Sequence, residues 1–188
     1  MKKNIVVLIS GRGSNLKSII NATKDKNYPA SISLVISDNK NALGLKTAQD
    51  NDINTLIIER NAFANIYSFE KNLIEKIIFY NPCLICLAGF MRVLSKEFVD
   101  KFRGKIINIH PSLLPKYKGL NTHEKAINAG DEYAGCTVHY VTEQLDSGKI
   151  ISQQKVKIEK SDNIETLNKK VLEVEHKIYP EAIKLLLS

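Results

Sequence analysis

Short apolar runs rich in β-branched residues alternate with longer stretches in which apolar positions return every three or four residues. The runs at 4–10 (NIVVLIS), 31–37 (SISLVIS), 54–59 (NTLIIE), 84–90 (LICLAGF) and 105–110 (KIINIH) predict strands. Residues 15–25, 42–51, 64–80 and about 95–102 predict helices between them, the third with a stripe of Ile66, Phe69, Leu73, Ile77 and Tyr80. Strands that are apolar on both faces and separated by helices indicate a parallel sheet covered on both sides. Past residue 110 the rhythm changes. A loop with two prolines (PSLLPKYKGLN) leads to a helix at 122–130, with Gly130 as its stop signal. Strands at 134–143 and 149–158 follow, joined by the turn-rich QLDSG. The last segment opens with Asp162 and Glu165 in capping-box spacing, then repeats Ile164, Leu167, Val171, Val174 and Ile178 as an amphipathic helix. Pro180 inside it is expected to kink or interrupt that helix. The expectation is a single α/β domain: an open, twisted, mostly parallel sheet with helices on both faces.

Composition changes this little. A chain of 188 residues, 44% hydrophobic and 25% charged, suits one folded domain. The net charge of +7 favours anionic partners, but the lysines are scattered and form neither a basic recognition helix nor an aromatic RNA platform. The charge alone does not choose among such partners; most of the lysines are expected to form a solvated surface, and no nucleic-acid partner is expected. The apolar run after Lys2 and Lys3 is too short for a signal-peptide core, and nothing approaches a membrane span, so a cytoplasmic protein without membrane association is expected. The three cysteines do not make a disulfide framework. Cys83 and Cys86 form a C-x-x-C, but on a strand they face opposite ways, and core packing is expected for both. The four histidines, at 110, 123, 139 and 176, lack local ligand spacing, so no metal is expected.

Two stretches carry candidate chemistry. In SGRGSN, Gly11 and Gly13 allow a sharp turn between the first strand and first helix, and Ser14 or Asn15 is placed to cap that helix. Free amides at a helix start suit a phosphate. The loop is neither a nucleoside-triphosphate loop nor a full G-x-G-x-x-G, because Leu16 takes the sixth position. Asp38 past the second strand could act as a ribose-binding acid, and a plain tight turn also explains the glycines. In IINIH, Asn108 and His110 share one face by alternation, and Pro111 ends the strand. Both side chains then lie at the carboxyl end of a parallel strand, where such sheets bind ligands. A carboxamide N–H and a charged imidazole fit an oxyanion formed on attack at a carbonyl or formyl carbon. A nearby carboxylate would favour the charged ring. Asp146 is a candidate, although spacing alone does not bring it there. His139 reads as a strand histidine with a structural partner.

Taken together, NIHPSLLPKYKG, LAGFMRVL, GCTVHYVTEQLDSG and ISGRGSN resemble the phosphoribosylglycinamide formyltransferase family, over nearly the whole chain. The resemblance implies a Rossmann-like fold. It also implies transfer of a formyl group from 10-formyltetrahydrofolate, as co-substrate, to the amine of 5-phosphoribosylglycinamide in purine biosynthesis. Asn108, His110 and Asp146 match the family's catalytic trio. Gly11, Gly13, Ser14 and Asn15 match the phosphate turn, and Glu175 a carboxylate that contacts the glycinamide end. Met91, Arg92, Val93 and Leu94 match the segment bordering the folate pterin, and 141–148, with Val141, Thr142 and Asp146, the loop closing over it. A phosphate-binding half over about 1–100 and a catalytic, folate-loop half over about 101–188 follow from that mapping. The expected assembly is a monomer or homodimer. Ile66 stands near an arginine that helps the folate's glutamate tail in some relatives, and Lys118 where proline is frequent. Formyl-folate hydrolysis and methionyl-tRNA formylation are rivals, each expected to need a further module. A nicotinamide oxidoreductase leaves NIHPSLLP unexplained, and a non-catalytic phosphate binder is the plainest alternative.

Overall fold

The computed structural model describes residues 1–188. In chain order the elements are β1 (Lys3–Ile9), α1 (Ser14–Thr23), β2 (Ala30–Ser37), α2 (Leu43–Gln49), β3 (Thr55–Ile57), α3 (Ile66–Phe79), β4 (Leu84–Leu87) and α4 (Lys96–Lys101). They continue with β5 (Ile106–His110), α5 (Thr122–Asn128), β6 (Tyr133–Tyr140), β7 (Ile150–Lys157) and α6 (Ile164–Leu187). One seven-stranded sheet runs in the order β3-β2-β1-β4-β5-β6-β7. The five strands from β3 to β5 are parallel, and β6 and β7 are added antiparallel at one end. The mostly parallel α/β domain expected from the pattern, and the Rossmann-like fold that the resemblance implies, are observed.

Alternation along β1 shows how the core is divided. Ile5, Val7 and Ile9 pack on one face with Leu16 and Ile19 of α1 and with Leu167, Val171 and Ile183 of α6. Val6 and Leu8 pack on the other with Phe69, Leu73 and Ile77 of α3 and Phe98 of α4. Burying each such side chain contributes about 1.5–3 kcal/mol relative to leaving it in water. The chain leaves β1 toward β3 and then returns to β4 on β1's other side. Connections therefore diverge above the carboxyl ends of β1 and β4, which opens a crevice there.

Three local expectations are corrected. Helix α6 runs from Ile164 to Leu187 through Pro180, so the proline does not interrupt it. Tyr179, Pro180, Ala182 and Ile183 are all buried, and that packing outweighs the backbone bond a mid-helix proline removes, a cost of about 3 kcal/mol. The capping box of α6 is formed by Asn163 and Thr166, one position later than Asp162 and Glu165. Asp162 instead accepts from the Thr166 hydroxyl at 2.9 Å and from Lys170 at 2.6 Å. Cys86 is buried on β4, but Cys83 precedes that strand and is exposed.

Candidate active site

Strand β5 delivers the first two polar groups as alternation requires. Ile107 and Ile109 are buried on one face, while Asn108 and His110 turn toward the crevice, His110 almost fully enclosed. β6 lies antiparallel beside it, in a register that pairs Asn108 with His139 and His110 with Thr137. The connection from β6 to β7 then brings in Asp146, whose backbone is left-handed at φ 47°. Asp146 Oδ2 accepts the Gly119 N–H at 2.9 Å and lies 3.4 Å from His110 Nδ1, an ion-pair distance rather than a tight hydrogen bond. Its Oδ1 lies 3.6 Å from His139 Nε2.

His110 therefore has an acceptor at each ring nitrogen, the Asp146 carboxylate at Nδ1 and the Tyr117 carbonyl at Nε2, the latter at 2.9 Å. Only a doubly protonated ring donates to both. His139 behaves differently. Burial pushes its pKa down, a trend the Tyr140 carbonyl and the Asp146 charge only partly offset, so the neutral ring is favoured. It has the structural partner expected of it, the Tyr140 carbonyl at 2.9 Å from Nδ1. It also touches Asn108 Nδ2 through Nε2 at 3.3 Å, which puts it inside the site. Its place there follows from the β5–β6 register, which no motif in the sequence signals. His123 also borders the site, with a buried Nδ1 that has no partner, and burial lowers its pKa as well.

These groups help to line a cavity of about 570 Å³, a size suited to a small molecule. Met91, Arg92, Val93 and Leu94 line it from the β4–α4 loop, and Val141 and Thr142 from the end of β6. Met91 and Val93 are exposed apolar side chains. Arg92 Nε donates to Asp38 Oδ2 at 2.5 Å, so Asp38 holds an arginine and is not the free ribose-binding acid considered above. Ile66 starts α3, is exposed, and is not among the cavity's lining residues. Lys118 Nζ bonds the Ser147 hydroxyl at 2.6 Å and so links the loop after β5 to the loop after β6.

The glycine loop lies next to this cavity rather than in its lining. Gly13 is the N-cap of α1, left-handed at φ 73°, and no side chain caps the helix, contrary to the role expected of Ser14 or Asn15. A Cβ on Gly13 would sit 2.6 Å from the Gly44 Cα, so this glycine permits a backbone-to-backbone approach of α1 and α2. Asn15 Nδ2 instead donates to Glu175 Oε2 at 2.6 Å. Burial pushes the Glu175 carboxyl up to about 7, against the lowering effect of the Asn15 bond. Gly11, Gly13, Ser14, Asn15 and Glu175 thus gather at the start of α1, apart from the trio on β5 and the β6–β7 loop. Ser10 joins the two regions. Its N–H donates to the Gly89 carbonyl at 3.1 Å, and its hydroxyl accepts the Met91 N–H at 2.8 Å. No group of three His, Cys, Asp or Glu side chains is placed to hold a metal ion.

The model of the formyl transferase family matches residues 3–183. The chain belongs to that family. It is 44% identical over 180 residues to phosphoribosylglycinamide formyltransferase of Escherichia coli strain K12, covering 96% of this chain and 85% of that protein. It is 43% identical to the trifunctional purine biosynthetic protein adenosine-3 of Bos taurus, spanning all of this chain but only 18% of that longer protein. Among solved structures, phosphoribosylglycinamide formyltransferase from Brucella melitensis superposes with a TM-score of 0.97 at 41% identity, over 100% of this chain and 97% of that one. Within the formyl transferase family the chain groups with the phosphoribosylglycinamide formyltransferases. Its carboxylate, two imidazoles and carboxamide therefore sit in a family fold, beside an apolar trough and a glycine turn.

Proposed function

We propose that the chain transfers the formyl group of 10-formyltetrahydrofolate to the amine of 5-phosphoribosylglycinamide, a step of purine biosynthesis. The observation that carries the reading is the meeting of Asp146 with His110, 3.4 Å apart, with Asn108, in the lining of one cavity. The folate takes the trough along Met91, Arg92, Val93 and Leu94, with Val141 and Thr142 across from them. The ribonucleotide phosphate takes the turn of Gly11, Gly13, Ser14 and Asn15, where amides at a helix start suit an anion. Glu175 receives the glycinamide end. In this reading the phosphate-holding half is about residues 1–100 and the catalytic and folate-loop half about 101–188, with the folate wall at the seam.

Asn108 donates an amide N–H to the oxygen that becomes negative as the amine attacks the formyl carbon. His110 donates its second N–H to the same oxygen, giving up the Tyr117 carbonyl to do so. Asp146 keeps that ring charged and oriented from the Nδ1 side. One proton leaves the attacking amine and one reaches N10 of the departing folate; Asp146 is placed to order the water that relays it. The partners are small molecules. No helix is long and apolar enough to cross a membrane.

The test is deformylation of 10-formyltetrahydrofolate, followed with and without 5-phosphoribosylglycinamide. Transfer requires turnover only when the ribonucleotide is present, whereas turnover without it indicates hydrolysis and sinks the reading. Asn108→Ala is expected to cost about 2.7–4 kcal/mol of barrier, as loss of an oxyanion donor does. Asp146→Asn should cripple transfer while thermal unfolding stays cooperative, and wild-type turnover in it would remove Asp146 from the mechanism.

A further inference from the structure

Asn108 and His139 face one another across the β5–β6 ladder, and one arrangement of protons satisfies the pair. His139 Nδ1 lies 2.9 Å from the Tyr140 carbonyl, which can only accept, so Nδ1 carries the ring proton. The neutral ring then leaves a lone pair on Nε2. Asn108 Nδ2 lies 3.3 Å from that lone pair. A carboxamide turned the other way would set its Oδ1 there instead, lone pair against lone pair.

We propose that His139 is a positioning residue, which holds the Asn108 carboxamide with one N–H tied to Nε2 and leaves the other N–H for the oxyanion. The proposal rests on the formyl-transfer reading above. His139 never touches the reacting atoms in it. It acts by forbidding the rotamer that would present a carbonyl oxygen, and hence repulsion, to a developing negative charge. Its side chain is 2% exposed, so water cannot replace it as the acceptor.

The same geometry sets the limits of the device. The titratable groups facing the ring are Asp146, from the β6–β7 loop, and His110, from β5. Asp146 Oδ1 waits 3.6 Å from Nε2. A second proton on His139 would make Nε2 a donor to Asp146, take the acceptor from Asn108, and draw Asp146 away from His110. Burial and the neighbouring His110 oppose that protonation, while Asp146 favours it. The arrangement therefore holds at neutral pH and fails on the acid side.

The experiment compares wild type, His139→Gln and His139→Leu in steady-state transfer, alongside ¹⁵N NMR of the wild-type ring. His139→Leu is expected to lower kcat by about 10- to 100-fold, a part of what a whole oxyanion donor is worth. The KM of both substrates should stay within about threefold, because uniform binding is not what is lost. His139→Gln, whose amide oxygen can accept from Asn108, should recover most of kcat. The wild-type ring should show a protonated Nδ1 and a bare Nε2 at neutral pH. Unchanged kcat in His139→Leu, equal losses in both variants, or a protonated Nε2 in the wild type would each overturn the proposal. If His139→Leu does not fold, the glutamine variant and the ring tautomer decide it. A wild type that transfers no formyl group sinks the functional reading itself, a result distinct from any difference between the variants.

Discussion

Glu175 is a carboxylate placed where water hardly reaches, 6% exposed, with Asn15 as its hydrogen-bond partner. Its folded pKa rises from 4.5 to about 7, so the folded protein favours the neutral acid. Below pH 4.5 the group is protonated in both folded and unfolded chains and takes nothing from stability. Between there and about 7 the unfolded chain ionises first, and unfolding gains progressively; above about 7 the penalty is complete. Glu175→Gln should therefore unfold at a higher temperature than wild type, by a gap that widens from pH 4.5 to about 7 and then levels. The size at neutral pH is on the order of 1–3 kcal/mol. Thermal melts across that range check it, and a gap independent of pH would mean that burial is not what holds the proton. At this scale the sequence was only partly legible. Asn108 and His110 share a face because strands alternate, and that is readable without a structure. His139 was not, because its place opposite Asn108 depends on the register of a pairing set by the intervening loop. Asp146 was a candidate that spacing could not bring to the histidine, since a left-handed residue in a loop leaves no periodic trace, and only the resemblance joined the two.

Elements were the most legible level where burial is regular, and the least where single side chains compete. Every strand and α-helix was anticipated because apolar spacing has a period, and the period follows from the backbone. The start of α6 was misplaced by one residue because Asp162 and Asn163 are both good caps. Asp162 was drawn away by Lys170, which left Asn163 to bond the Thr166 N–H at 2.9 Å. Pro180 does not interrupt α6 because propensity is a local quantity, whereas α6 is held by its buried face. The junction of α1 and α2 gives the prediction at this scale. With Gly13 at φ 73° and no room for a Cβ beside Gly44, Gly13→Ala must shift the backbone of one helix. A loss of about 1–3 kcal/mol or more in stability is expected. It should come with a raised KM for the ribonucleotide and little change in KM for the formyl folate. Denaturant unfolding and the two KM values test it, and a variant with wild-type stability would remove the close approach as a constraint.

The order of the strands decides where the whole molecule can work. The chain reverses between β1 and β4, and every group assigned a role in binding or transfer comes from a loop that follows a strand, from the start of α1, from β5, from β6, or from α6. The overall charge of +7 gives no hint of this, because Arg92 is the one lysine or arginine lining the cavity, against Glu124, Glu143 and Asp146. Scattered lysines thus report on the outer surface and not on the site. Ser10 has a larger consequence. It holds both sides of the reversal, the glycine turn by chain continuity and the cavity wall through Gly89 and Met91. Whatever stiffens one loop stiffens the other, so the ordering entropy of two ligands is partly shared, and the first to bind spares the second some of it. The two substrates should then bind synergistically, each tightening the other about fivefold or more, by the same factor in either order because linkage is reciprocal. Titration calorimetry with a non-reactive folate would measure that factor. Ser10→Ala, which deletes the hydroxyl that accepts from Met91, should bring it toward one while each ligand alone binds nearly as before. On this view a single serine lets two pockets behave as one thermodynamic unit.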